Sequence, residues 1–139
     1  MVAPRLSVLL VDDDVDMGRS LQRLAARRGL ELFTVADRND AMELLTQLGF
    51  DVSTIVVSYD LQHGEGRELL RELARRSPEI HRVVVGRGTD RKLAHVVREG
   101  LAHASVTKPV DMDEFVAALQ PGAADRELVE ERTSYAMRR

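Results

Sequence analysis

Four short segments hold the residues of this 139-residue chain best suited to chemistry. "VDDD" places Asp12, Asp13 and Asp14 in a row directly after an apolar run. "VSYD" sets the hydroxyl of Ser58 two residues before the carboxylate of Asp60, and "VVVGRG" runs through Val85 and Gly86. "TKP" sets the ammonium of Lys108 before Pro109. Adjacent carboxylates attract a divalent cation, which takes oxygen ligands. An ionised carboxylate accepts a phosphoryl group when a cation offsets the charge. A serine hydroxyl is a poor nucleophile at neutral pH unless a base activates it.

Each feature also has an ordinary reading. Taken alone, "VDDD" is a helix N-cap with its first turn, and a lone lysine is solvated. The basic clusters "RLAARR" (23–28) and "RELARR" (71–76) read as solvated helix faces. "GRG" (86–88) lacks the spacing of a phosphate-binding glycine loop and reads as a turn. His63, His81, His95 and His103 lack the spacing of a metal-ligand set and are expected on surfaces or capping helices. With no cysteine, disulfides, thiolate catalysis and cysteine metal sites are excluded.

The elements that must position these groups follow from periodicity. "LSVLLV" (6–11), "TIVV" (54–57) and "RVVV" (82–85) are continuous apolar runs, as strands buried on both faces should be. "LELFTV" (30–35) and "HASV" (103–106) complete a set of five strands. Helical faces lie between and after them. They are Met17-Leu21-Leu24-Ala25, Ala41-Leu44-Leu45-Leu48, Leu69-Leu70-Leu73-Ala74, Leu93-Val96-Val97 and Met112-Phe115-Val116-Leu119. Asp14, Asp37, Asp90 and Asp111 stand where N-caps belong, and Glu114 follows Asp111 as in a capping box. Gly29, Gly49 and Gly100 stand where helices should stop. A strand–helix unit repeated five times predicts an α/β fold, a doubly wound parallel sheet with helices on both faces. Ligands in such sheets sit at the carboxyl ends of the strands. That is where Asp12, Asp13, Ser58, Val85-Gly86 and Lys108 fall.

Composition bounds the rest. Hydrophobic residues make up 44% and charged residues 31%, which fits one soluble domain with a core. A net charge of −3 gives no global basic field for nucleic acid or membranes. No apolar run reaches a membrane span, and the N-terminus lacks a signal-peptide layout, so a cytoplasmic location is expected. Residues 1–120 are expected to form the domain and 121–139 a tail, either a helix or a linker. No stretch after residue 120 is long enough for a helix-turn-helix, so no DNA-binding domain is expected here.

"VLLVDDD", a residue ending the third strand and "TKP" after the fifth together resemble the receiver domain of bacterial two-component response regulators. "VVSYDLQHGEGR" is similar to the third-strand loop of redox-responsive RegA/PrrA-type receivers. The resemblance covers about residues 5–120. It implies a flavodoxin-like (βα)5 fold with strand order 2-1-3-4-5. It also implies an acidic pair, Asp12 and Asp13, that holds Mg²⁺, and a Lys108–Pro109 bond in cis. In that family an Asp ending the third strand takes a phosphoryl group from a histidine kinase. It stands eight residues before the glycine opening the third helix. Counting back from Gly66 gives Ser58, so Ser58 is the acceptor-equivalent position. The family's phosphoryl-sensing hydroxyl falls on Val85 or Gly86, and its aromatic switch residue on Ser105.

The expectation is therefore an atypical receiver in two-component signalling: a phosphorylation-independent interaction module, not an enzyme, requiring no cofactor. Asp12, Asp13 and the Asp60 backbone carbonyl would make at most a weak Mg²⁺ site. Partners, a histidine kinase or an effector, are expected on residues about 90–119, the surface that relatives use for dimers, so a homodimer is included. The alternative is a phosphoacceptor receiver using Asp60, or another carboxylate, with Mg²⁺. A third reading has Lys108 and Arg87 sensing a small anion or nucleotide.

Overall fold

The computed structural model describes residues 6–48, 52–88 and 90–120. Strands and helices alternate: β1 (Leu6–Val11), α1 (Val15–Arg27), β2 (Leu30–Val35), α2 (Arg38–Gln47), β3 (Thr54–Ser58), α3 (Glu65–Arg76), β4 (His81–Gly86), α4 (Asp90–Arg98), β5 (Ala104–Thr107) and α5 (Met112–Ala118). The five strands form one parallel sheet in the order β2-β1-β3-β4-β5. That is the flavodoxin-like topology anticipated above.

Strand alternation divides the core into two layers. Leu9, Val11, Ile55, Val57 and Val84 pack with Ala41, Leu45, Leu69, Leu73 and Leu93 of α2, α3 and α4. Val8, Leu10, Val56, Val83 and Val85 pack with Leu21, Ala25, Phe115 and Leu119 on the side of α1 and α5. One predicted core position differs: Leu24 of α1 is 39% exposed, because Leu21 and Ala25 already fill that face.

The helix starts follow the anticipated caps. Asp14 Oδ1 accepts from the Met17 N–H at 3.0 Å, and Asp37 Oδ1 from the Asp40 N–H at 2.8 Å. Asp111 caps α5 through the Asp113 N–H at 3.0 Å, one residue earlier than a capping box uses. Asp90 opens α4 rather than preceding it. Gly29 and Gly100 take positive φ after α1 and α4. Gly49, Pro121-Gly122 and the tail 121–139 lie outside the described residues.

The end of the sheet away from the strand carboxyl termini is fastened by buried polar groups. Arg82, 5% exposed, donates to the carbonyls of Leu101 (2.9 Å), Pro78 (3.2 Å), Ile80 (3.2 Å) and Gly100 (3.3 Å). Burial pushes its guanidinium below the usual arginine range. The His81 ring lies 2.8 Å from the Ala118 carbonyl, and Thr54 Oγ1 donates to Leu119 O at 3.3 Å. His81 is buried and stacks on the half-buried His103 with centroids 5.0 Å apart, so the surface or capping role expected for His81 gives way to an interior one. His103 Nδ1 accepts the Arg82 N–H at 2.9 Å.

Candidate functional site

The register of the sheet brings the chemistry-bearing segments into one rim. Val11 pairs with Val35 and Val57, so Asp12 leaves β1 beside Ser58, the last residue of β3. Ser58 pairs with Val85, and Gly86 with Thr107, so the ends of β4 and β5 reach the same level. Main-chain bonds extend the ladder: Asp12 N–H to Val35 O (3.0 Å), Tyr59 N–H to Val85 O (2.8 Å) and Lys108 N–H to Gly86 O (2.9 Å). The Lys108–Pro109 bond is cis.

Lys108 is the hub. Its Nζ lies 2.8 Å from Asp12 Oδ2, 3.4 Å from Ser58 Oγ and 3.9 Å from Asp60 Oδ2. The ammonium and the Asp12 carboxylate are both buried, with side-chain exposures of 8% and 1%. Asp12 Oδ1 accepts the Asp14 N–H at 2.9 Å. Its Oδ2 meets the ammonium as an ion pair off the hydrogen-bonding direction, so no donor is aimed at that oxygen. Asp13, next in sequence, is exposed.

Ser58 is fully buried, and its Oγ accepts the Asp60 N–H at 3.2 Å. The start of α3 packs directly on it, and a Cβ at Gly66 would overlap the Ser58 carbonyl oxygen. Only glycine lets the helix approach the strand end this closely. The count back from Gly66 to the end of β3 thus has a steric basis.

Of the two β4 candidates, Val85 lies in the core on the α1 and α5 side, 1% exposed. Gly86 faces the rim, where an added Cβ would lie 3.6 Å from Asp60 Oδ2 and 3.2 Å from Tyr59 Cβ. Ser105 is exposed on β5, paired with Val84. The Asp60 carboxylate, weighed from sequence as the alternative acceptor, turns its Oδ2 back over the strand ends. One group escaped the sequence reading: the Arg87 N–H, which donates to that oxygen at 2.8 Å, because a main-chain amide leaves no mark in sequence.

The donor set does not fit a preformed Mg²⁺ site. Mg²⁺ demands near-octahedral oxygen ligands at short range. Asp12 Oδ2 has lone pairs free of hydrogen bonds, but the Lys108 ammonium already sits against it. Among the described residues no three acidic or imidazole groups converge as a metal set. A dication would have to displace Lys108 or accept a cation at its side.

A family model described as "Response regulator receiver domain" matches residues 8–120. The C4-dicarboxylate transport transcriptional regulatory protein DctD of Rhizobium meliloti (strain 1021) is 30% identical over 130 residues, 92% of this chain and 27% of that protein. Regulatory protein VirG of Agrobacterium tumefaciens (strain 15955) is 29% identical over 117 residues, 84% of this chain and 43% of that protein. The chain thus spans less than half the length of these relatives. A receiver domain protein from Clostridium thermocellum superposes with a TM-score of 0.74 at 18% identity, over 88% of this chain and 97% of that one. A response regulator from Burkholderia pseudomallei, solved with a phosphorylated aspartic acid, calcium ion and citrate, gives 0.74 at 24% identity, over 89% and 72%. At these identities the two structures speak for the fold.

Proposed function

The chain belongs to the response regulator receiver family of two-component signalling, and on that premise we propose that it is an atypical receiver, one that binds partners without being phosphorylated on aspartate. The observation that carries this reading is Ser58. It ends β3, is fully buried against Gly66, and has its Oγ shared between the Asp60 N–H and Lys108. In this reading Ser58 holds the place of the family's acceptor carboxylate. Its hydroxyl is engaged, and Lys108 is paired to Asp12, which leaves no free base beside it. Gly86 in place of a hydroxyl residue, and Ser105 in place of an aromatic, remove the groups that would sense and report a phosphoryl group.

Incubation with acetyl phosphate and Mg²⁺, followed by rapid quenching and intact-mass measurement, tests it. The wild-type chain is expected to stay unmodified, and a labile adduct of about one phosphate would overturn the reading. Ser58→Asp supplies the missing carboxylate and is expected to gain that adduct only if the rest of the rim is competent. A second reading, phosphorylation on Asp60, draws on the proximity of its carboxylate to Lys108 and its partial exposure, 38% of the side chain. Label present in wild type and lost in Asp60→Asn would favour it.

We place the partner surface on α4, β5 and α5, within residues 90–119. Arg91, Lys92 and Arg98 are exposed on α4 and Glu114 on α5, which gives these elements charges of both signs for a second copy or a signalling partner. Reversing Arg91 and Lys92 to Glu should weaken self-association in sedimentation equilibrium, whereas the same reversal at Arg75 and Arg76 of α3 should not. Equal loss from both pairs would remove the assignment.

A further inference from the structure

Three loops meet over the carboxyl end of the sheet, and one side chain ties two of them to the hub. Asp60 Oδ2 accepts the Arg87 N–H at 2.8 Å and lies 3.9 Å from Lys108 Nζ. The Asp60 backbone is itself fixed by the Ser58 hydroxyl at 3.2 Å, which turns its carboxylate back over the strand ends. Gly86 makes the room: a Cβ there would stand 3.6 Å from this oxygen, 3.2 Å from Tyr59 Cβ and 3.0 Å from Leu93 Cδ2. A main-chain N–H that donates to one oxygen, with an ammonium within ion-pair range of it, makes a place suited to an oxyanion. Here the chain supplies that oxyanion.

We propose that Asp60 is the resident ligand of an oxyanion site built from Lys108 and the Arg87 amide, a tethered carboxylate that excludes free phosphate-like anions and pins the β4–α4 loop in one arrangement. The proposal rests on the reading above only in holding that no phosphoryl group is delivered to Ser58. A short tether gives the carboxylate an effective concentration in the millimolar range or above, so a free anion competes poorly. The anion-sensing alternative therefore does not apply to the native chain. Pinning matters because the far end of α4 is also held. Arg67 bonds Glu99 at 2.7 Å, His95 pairs with Glu99 at 2.6 Å, and Arg82 holds the Gly100 carbonyl at 3.3 Å. Asp60 holds Arg87, just after β4, as these bonds hold the far end of α4.

The test follows the Arg87 amide by ¹H–¹⁵N NMR in the full chain during titration with inorganic phosphate at constant ionic strength. In wild type the resonance should hold still. In Asp60→Ala it should move in the free protein, because its acceptor is gone, and then respond to phosphate with a midpoint at least roughly tenfold below the highest concentration at which the wild type stays still. Asp60 is partly exposed, so the variant should keep its fold. An Arg87 amide that ignores the loss of Asp60, a variant that ignores phosphate, or a wild type that responds as strongly as the variant would each overturn the proposal. Acetyl phosphate labelling of the wild-type chain would instead strike the reading of function and leave these titrations to stand or fall by themselves.

Discussion

Lys108 has more to balance than one carboxylate. Asp12 is its buried partner at 2.8 Å, and Asp60 adds a more distant charge. Removing one member of a buried ion pair strands the other, at a cost of about 3–5 kcal/mol. Lys108→Met should therefore lower the unfolding free energy by that order in chemical denaturation. Adding Asp12→Asn should recover much of the loss, since no charge is then left unpaired. If both single and double variants lose equally, the lysine contributes packing rather than charge. At this scale the sequence spoke clearly wherever a side chain does the work. Asp12, Ser58 and Lys108 could be placed from runs and spacing, and they meet in one rim. Gly86 and Val85 could not be separated, because a single residue of slip along β4 exchanges rim for core, and only pairing with Thr107 and Val106 fixes that register. The direction of the Asp60 carboxylate was hidden for a related reason: it follows a loop hydrogen bond from its own amide to Ser58.

Elements were more legible than residues. All five strands and five helices were marked by apolar runs and 3.6-residue faces, with aspartate caps at α1, α2 and α5, and the strand order followed from the resemblance. Polar groups that fasten elements to one another were not, since no local pattern announces a contact between residues far apart in sequence. The α2–α3 clasp is one. Arg38 bonds Glu72 and Glu68, and Arg76 reaches Glu72 at 2.9 Å. The hydrogen bond from Arg38 holds the Glu72 carboxyl below the usual glutamate range. In Glu99, partial burial pushes the carboxyl up, but the Arg67 hydrogen bond and His95 outweigh it and hold it low. A carboxyl depressed in the folded state adds stability that is complete above its unfolded value, about 4.3 for glutamate, and is lost as pH falls through the folded value. Glu72→Gln should thus be less stable than wild type at neutral pH, with the gap closing as the pH drops below about 4. Denaturation midpoints measured across that range decide it. A gap that stays constant would mean that the clasp is packing alone.

At the scale of the molecule, the chain has the receiver architecture over residues 8–120, and a lysine and two aspartates meet at its rim. No helix among the described residues is long and apolar enough to cross a membrane. Composition predicted a core, and among the described residues two packed layers on one sheet form it. The two ends of that sheet differ in kind. At the end away from the rim, one arginine closes four carbonyls, and a histidine and a threonine secure the last carbonyls of α5. Those bonds share no atom with Ser58, Asp60, Gly86 or Lys108. The architecture therefore separates foundation from trade. Substitutions that rewrite the rim can accumulate a few at a time without loosening the bolts underneath.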